Sequence, residues 1–431
     1  QGSLTKQSLG KFSISQRNSS VATGNSISVS YVNADVHISD INIYASTAFS
    51  ISSGGSVNLT LIGANHIKST SNAGIAMSSG CSLSIFEQGT GSLTVQGASG
   101  SRPGIGVGGT VSVYSGTVSV TAGNGNFNSA WLGTGGAGGA GINGTLRVFG
   151  GSVTVKGGNG GGEESYGTGG NGGAGASELY ISGGIASITA GAGGVAGSYG
   201  QSGHGGAGVY SLTSEGGTLS LKGGAGGNGT EYFGNGGSGG HGVSGVSVIS
   251  GGSLLVLGGA AGKGTSYGNW GATGKSFSVQ PTDGTNPLWL TTISVDGISS
   301  VSEMSSLGIT SNYDINDVFT DSNGKIYLYL PAQTAVYNAN FGETEYFGYI
   351  RQGGAAVSGS LTTSRLYRFT INTYHDGVLS DVSEDFSLTC ANSLSTRIAQ
   401  GVYIIYALDG DYDVLYNGVN TGAHITITRN D

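Results

Sequence analysis

The chain has little of what catalysis, charge recognition or helix formation draws on. Charged residues make up 9 % of its 431 positions, against about a quarter in an ordinary soluble protein. Lys and Arg number 16 and are thinly spread, so no basic stripe exists to grip phosphate and no nucleic-acid partner is expected. Two cysteines, Cys81 and Cys390, lie in different predicted segments. That excludes a disulfide framework and leaves buried free thiols as the expectation. Four prolines without a strict triplet exclude collagen. No apolar run reaches the ~18 residues of a transmembrane helix, so no membrane insertion is expected. Aspartate is missing from Ile41 to Thr282, and apolar residues nowhere recur at the helical period.

Glycine is what the chain has in excess: 87 residues, about a fifth of the total, where about 7 % is usual. Much of it falls in one recurring nine-residue track. The track occupies residues 133–141 (GTGGAGGAG), 167–175 (GTGGNGGAG), 200–208 (GQSGHGGAG), 234–242 (GNGGSGGHG) and, degraded, 268–275 (GNWGATGK). Successive starts lie 33 or 34 residues apart, which marks stacked structural repeats. Within a track the period is three, that of a polyproline-II-type helix, which has no internal hydrogen bonds. Its backbone groups point sideways and need partners on neighbouring chains. Two glycines per turn let neighbours close in, while third positions (Thr134, Ala137, Asn171, Ser238, His241) face outward. The expectation is a bundle of parallel polyglycine-II-like helices rather than floppy loops.

Strand grammar surrounds the tracks. Gly54-Gly-Ser-Val-Asn-Leu-Thr-Leu61, Ser79-Gly-Cys-Ser-Leu-Ser-Ile-Phe86 and Gly108-Gly-Thr-Val-Ser-Val-Tyr114 repeat one alternating phrase. Their anchors Val57, Leu83 and Val111 step by 26 and 28, so the tracks read as insertions that lengthen each coil. Short strands recurring between coils, with no helix, predict an all-β chain built on a right-handed parallel β-helix, or solenoid. The solenoid is expected over residues 25–280, preceded by a polar leader, 1–24. In that leader Phe12 and Ile14 alternate with polar residues without an obvious home, and it is expected to act as a donor strand for another copy, to cap its own solenoid, or to be disordered.

With "SISSGGSVNLTLIGANHI", "AGIAMSSGCSLSIFEQGTGSLTVQG" and the "GGSVTVKGGNGG" repeats, residues 40–280 resemble the Gly-rich parallel β-helix surface proteins of anaerobic bacteria. Those proteins are often labelled carbohydrate-binding, which implies glycan contact at a cell surface. After Val279 the composition shifts, with Pro281 and Pro287 bracketing "TDGTN". Residues 288–352 and 363–431, carrying "TDSNGKIYLYLPAQT" and "LDGDYDVLYNGVNTG", look like prealbumin-type β-sandwich modules similar to the B-type repeats of bacterial surface proteins. Those repeats often hold a Lys–Asn isopeptide bond. Neither first strand here has a lysine, so the bond is not carried over.

The chemistry expected is sparse. A β-helix lyase or hydrolase needs clustered carboxylates or a calcium site. The adjacent pair Glu163 and Glu164 reads as a solvated loop tip. Asp321-Ser-Asn-Gly324 reads as a hairpin turn rather than half a calcium loop. The histidines at 37, 66, 204, 241, 375 and 424 lack metal spacing, and His204 and His241 are expected solvated or stacked. No enzyme, cofactor or metal is expected. The clearest candidates are aromatic: Trp131, Tyr166, Tyr199, Tyr232, Tyr267 and Trp270 recur where loops enter the tracks, predicting a ladder. Such a row either binds sugar rings, seals a protein interface, or caps the glycine bundle. An opening Gln1, with no anchor motif, suits a mature secreted chain. The expectation is an extracellular, cell-surface structural protein. It would be a self-assembling fibre or filament subunit, with other copies of itself as partners and Phe12 and Ile14 in the assembly strand. The alternative is a glycan-binding adhesin, bacterial or at a phage tail tip, with cell-surface glycans as partners.

Overall fold

The computed structural model describes residues 3–6, 10–30, 33–163, 166–230 and 232–295. In the last third it describes 297, 308–311, 313, 318–341, 344–363, 367–380, 386–388, 394–407, 410–416 and 419–427. The described residues contain strands and no helix. They fall into two compact units, residues 1–287 and 288–431.

The first unit is a 19-stranded parallel sheet whose pairing runs in three columns. One column stacks Ser3–Lys6, Ser26–Ser30, Phe49–Ser52, Ile75–Met77 and the start of Ile105–Val113. The second stacks Gly10–Ser15, Asn33–Ser39, Ser56–Ile62, Ser82–Glu87 and the rest of Ile105–Val113. The third stacks Asn42–Ala45, Ala64–Ser69, Ser92–Gln96, Thr117–Thr121, Ser152–Lys156 and Ile185–Thr189. All three continue through Val209–Lys222, and the second and third run on into Ser247–Leu257, while single parallel bridges extend the first column through Val243 to Phe277 and the second from Val248 to Thr282. The anchors fall in register as their spacing implied: Leu83 pairs with Val57 on one side and Val111 on the other.

Register makes the core. Because side chains alternate faces along a strand, Val36, Leu59, Ile85, Val113, Val148 and Ile181 lie one above another and are buried. Ile67, Val95, Val120, Val155, Ile188 and Leu221 do the same in the third column. Each such side chain contributes about 1.5–3 kcal/mol on burial. The Gly-Gly turns between columns place their second glycine in the left-handed region, as at Gly151 (φ 72°) and Gly184 (φ 73°).

The leader is not outside this pattern. Ser3–Lys6 pairs with Ser26–Ser30, and Gly10–Ser15 with Asn33–Ser39, putting Phe12 beside Val36 and Ile14 beside Ile38. The strand read as lacking a home therefore sits on its own chain, where its alternation matches that of the rung below.

The glycine tracks are hydrogen-bonded, with one correction to their direction. Each repeat holds two, an outbound track after the third-column strand (residues 157–162, for example) and the return track found in the sequence. Return Gly170 and Gly173 donate to outbound Gly161 and Gly158 at 2.8 Å, so neighbouring tracks run antiparallel, and only tracks of one class are parallel. The three N–H groups of a turn have three destinations. One glycine bonds the antiparallel neighbour, and the next bonds the following repeat's outward residue, as Gly172 donates to the His204 carbonyl at 2.8 Å. Where the residue one repeat earlier carries an acceptor side chain, the outward residue's own N–H goes to it. His204 N–H donates to Asn171 Oδ1 at 2.8 Å, and Ser238 N–H to His204 Nδ1 at 3.0 Å. Lys275 N–H likewise donates to His241 Nδ1 at 2.9 Å. The ring nitrogens of His204 and His241, expected solvated or stacked, thus accept backbone N–H groups, while the His204 side chain remains exposed.

In the second unit Phe319–Thr320, Ile326–Pro331, Leu288–Val295 and Val357–Leu361 form one sheet, and Gly308–Ser311, Ala335–Phe341 and Thr344–Arg351 another. Ile293, Ile326, Leu328, Val336, Ile350 and Leu361 pack in one buried cluster. Beyond it Val402–Ala407 lies between Tyr367–Asn372 and Leu394–Ala399, and Gly410–Tyr416 between Phe386–Leu388 and Val419–Ile427. Asp321 sits in a hairpin turn, accepting from Asn323 N–H (2.8 Å), Lys325 N–H (3.0 Å) and the Tyr327 hydroxyl (3.0 Å).

Candidate functional site: an exposed aromatic ladder

A residue that holds the same place in successive parallel repeats lies about 4.8 Å from its counterpart, the distance at which aromatic rings stack. Trp131, Tyr166, Tyr199, Phe233 and Tyr267 use that spacing where the outbound track turns back. Their centroids are 5.4, 5.2, 5.1 and 5.2 Å apart, with interplanar angles of 16°, 16°, 26° and 36°. All five are exposed, from 43 % for Tyr166 to 72 % for Tyr267.

Polar side chains fix the turns beneath. Asn128 Oδ1 accepts Ala130 N–H at 2.9 Å and its amide donates to the Thr134 carbonyl at 3.1 Å. One repeat on, Glu163 takes that place: it is 2 % exposed, and its Oε2 accepts Gly167 N–H at 2.7 Å. The reading of Glu163 as a solvated tip is therefore wrong. A carboxylate four residues ahead of the track closes the turn on an N–H that would otherwise be buried without an acceptor. Glu164 lies outside the described residues. Further on, Thr230 and Thr265 donate to the carbonyls of Ala196 (2.5 Å) and Tyr232 (2.7 Å).

Of the aromatic candidates, Trp131, Tyr166, Tyr199 and Tyr267 form the ladder. Tyr232 yields its place to Phe233 and remains 68 % exposed beside it, and Trp270, 66 % exposed, has no ring partner among the described residues. Leu132 adds a 77 %-exposed side chain at the first rung. The stacking decides what the ridge presents. Interior rings spend both faces on their neighbours and turn their edges to solvent, so face-on contact with a sugar is left to the ends of the row.

A second stack went unnoticed in the sequence. Phe86, Tyr114 and Phe149 lie 4.8 Å apart with angles of 4° and 12°, followed by Tyr180 at 5.6 Å and 52°. The signal was there, since each of the first three follows one of the registered core residues Ile85, Val113 and Val148. Tyr180 departs from that place because its rung partner is Arg147, whose guanidinium lies 5.8 Å from its ring centroid. The Tyr180 hydroxyl donates to Glu215 Oε2 at 2.5 Å, and this bond to a carboxylate raises its pKa.

Among the described residues no group of three or more His, Cys, Asp or Glu is arranged to hold a metal. Cys81 is buried and free, and Cys390 lies outside the described residues. Comparison with family models, with curated proteins and with solved structures finds no match, so the site is read from its own geometry.

Proposed function

We propose that the three columns wind as a right-handed parallel β-solenoid whose insertions pack as a polyglycine-II-like bundle, followed by two small β-sandwich modules. In this reading the chain is an extracellular structural protein, a subunit of a self-assembling surface fibre joined end to end by strand complementation. The observation that carries it is the last strand of the third column. Residues 253–257 of Ser247–Leu257 (SLLVL) pair only with the preceding repeat among the described residues. An uncharged apolar edge is a template for another strand. All rungs run in one direction, so an added copy stacks head to tail, a contact that does not close and grows a filament.

The reading includes no catalytic step. Glu163 is held on a backbone N–H, and Glu178 and Glu215 are bonded to Thr145 and Tyr180. Electron microscopy and light scattering of the full chain test it. Concentration-dependent fibres are expected, shortened or abolished by Leu255→Lys with Leu257→Lys, which places charge on the edge. A chain that remains single at high concentration overturns the fibre. The second reading, a glycan-binding adhesin, is favoured by the exposed indoles of Trp131 and Trp270. A glycan array showing binding lost with Trp131→Ala would select it.

A further inference from the structure

The aromatic ridge has features the fibre reading does not use. Its five stacked rings, with Leu132, Tyr232 and Trp270, are each 43–77 % exposed, and none is charged. Since a buried aromatic covers about 150–250 Å², this ridge offers on the order of 1,000 Å² of apolar surface, against the ~800 Å² per partner of a standard interface. Apolar patches of that size are rare on monomers.

The occupant must suit ring edges rather than ring faces. A saccharide gains most from faces, and the three interior rings have a neighbouring ring on each side: Tyr166 and Tyr199 are stacked on both, and Phe233 is stacked on Tyr199 and tilted against Tyr267. A row of ring edges whose faces are already covered gains by close contact and water exclusion against another apolar surface of matching spacing. A second ridge of the same chain has that spacing by construction, because both repeat with the same strand separation. Two-fold symmetry then aligns them: with Tyr199 third of five rungs, an antiparallel pair sets Tyr199 against its own copy and Trp131 against Tyr267.

We infer that the ridge at the turn of the glycine tracks is an isologous interface with a second copy of this chain, rung against rung, centred on Tyr199. This contact lies apart from the strand edges and does not depend on them.

Light scattering and disulfide trapping on the full chain test the inference. Interfaces of this size range from micromolar upward in strength, so paired chains are expected at about 100 µM. Tyr199→Glu, which opposes two like charges at the centre, is expected to abolish pairing, and Tyr199→Phe to keep it. Under an added oxidant Tyr199→Cys is expected to crosslink to itself. Trp131→Cys should crosslink only when mixed with Tyr267→Cys, and the unsubstituted chain controls for the native cysteines. Denaturing gels read the crosslink whether or not the chains also stack end to end, so the two contacts fail separately. The inference is overturned if Tyr199→Cys crosslinks no more than the unsubstituted chain. It is equally overturned if Tyr199→Glu leaves the pairing intact. A monomer that sediments with neutral phospholipid vesicles or insoluble polysaccharide also overturns it and assigns the ridge to that surface.

Discussion

At the scale of single residues, position within the track decides cost. A Cβ on Gly172 would lie 1.9 Å from the Gly191 carbonyl oxygen, a backbone atom held in the neighbouring track. Gly172→Val is therefore expected to destabilise the first unit by about 1–3 kcal/mol or more, read by thermal unfolding. Gly24→Ala, with nothing within 4 Å, should shift it by less than about 0.5 kcal/mol. Outward residues are not interchangeable either. His204→Leu removes the acceptor of Ser238 N–H and is expected to cost about 0.5–1.5 kcal/mol, most of it restored by His204→Asn, the residue that does the same work at Asn171. Asp321 gives the second unit a pH dependence. Partial burial by itself would push its carboxyl up, but the N–H bonds from Lys325 and Asn323 and the Tyr327 hydroxyl hold it below the usual carboxylate range. A lowered folded pKa means stability fully present above the unfolded value of about 3.9 and lost as pH falls through the folded one. Asp321→Ala should flatten the acid limb of the second unit's stability.

At the scale of elements, the prediction concerns the tracks. With their glycine N–H groups bonded to neighbouring tracks, amides at residues 135–141 and 169–175 are expected to exchange far more slowly than loops. Exchange complete within seconds would contradict the structure. Much of this element was legible in sequence: the 33–34-residue period gave the return tracks, and the Val57–Leu83–Val111 spacing gave the strand register. The outbound tracks escaped because they are shorter and diluted by alanine, as in residues 258–262 (GGAAG). Without them the antiparallel alternation was invisible. Within the ladder, composition placed an aromatic at each turn but left two adjacent at 232 and 233. Which of them stacks depends on the turn backbone, which a one-dimensional period does not encode. Burial of Glu163 was hidden for a related reason, since its partner is the Gly167 N–H rather than a charge a sequence would reveal.

For the whole molecule, the two units have separate cores, one of registered aliphatic rows and one around Ile293 and Ile326. Calorimetry is expected to resolve their unfolding, with Gly172→Val lowering only the first unit's transition and Asp321→Ala only the second's. In the Gly-rich part of the first unit each repeat bonds mainly to the repeats before and after it, and supplies one strand set, one pair of tracks and one ladder ring. An in-frame gain or loss of one repeat therefore leaves every surviving junction as it was. Such a change lengthens or shortens the ridge by one strand spacing, about 4.8 Å. The Gly-rich part of the first unit is thus built as a ruler, whose reach would change in fixed increments with the number of its repeats.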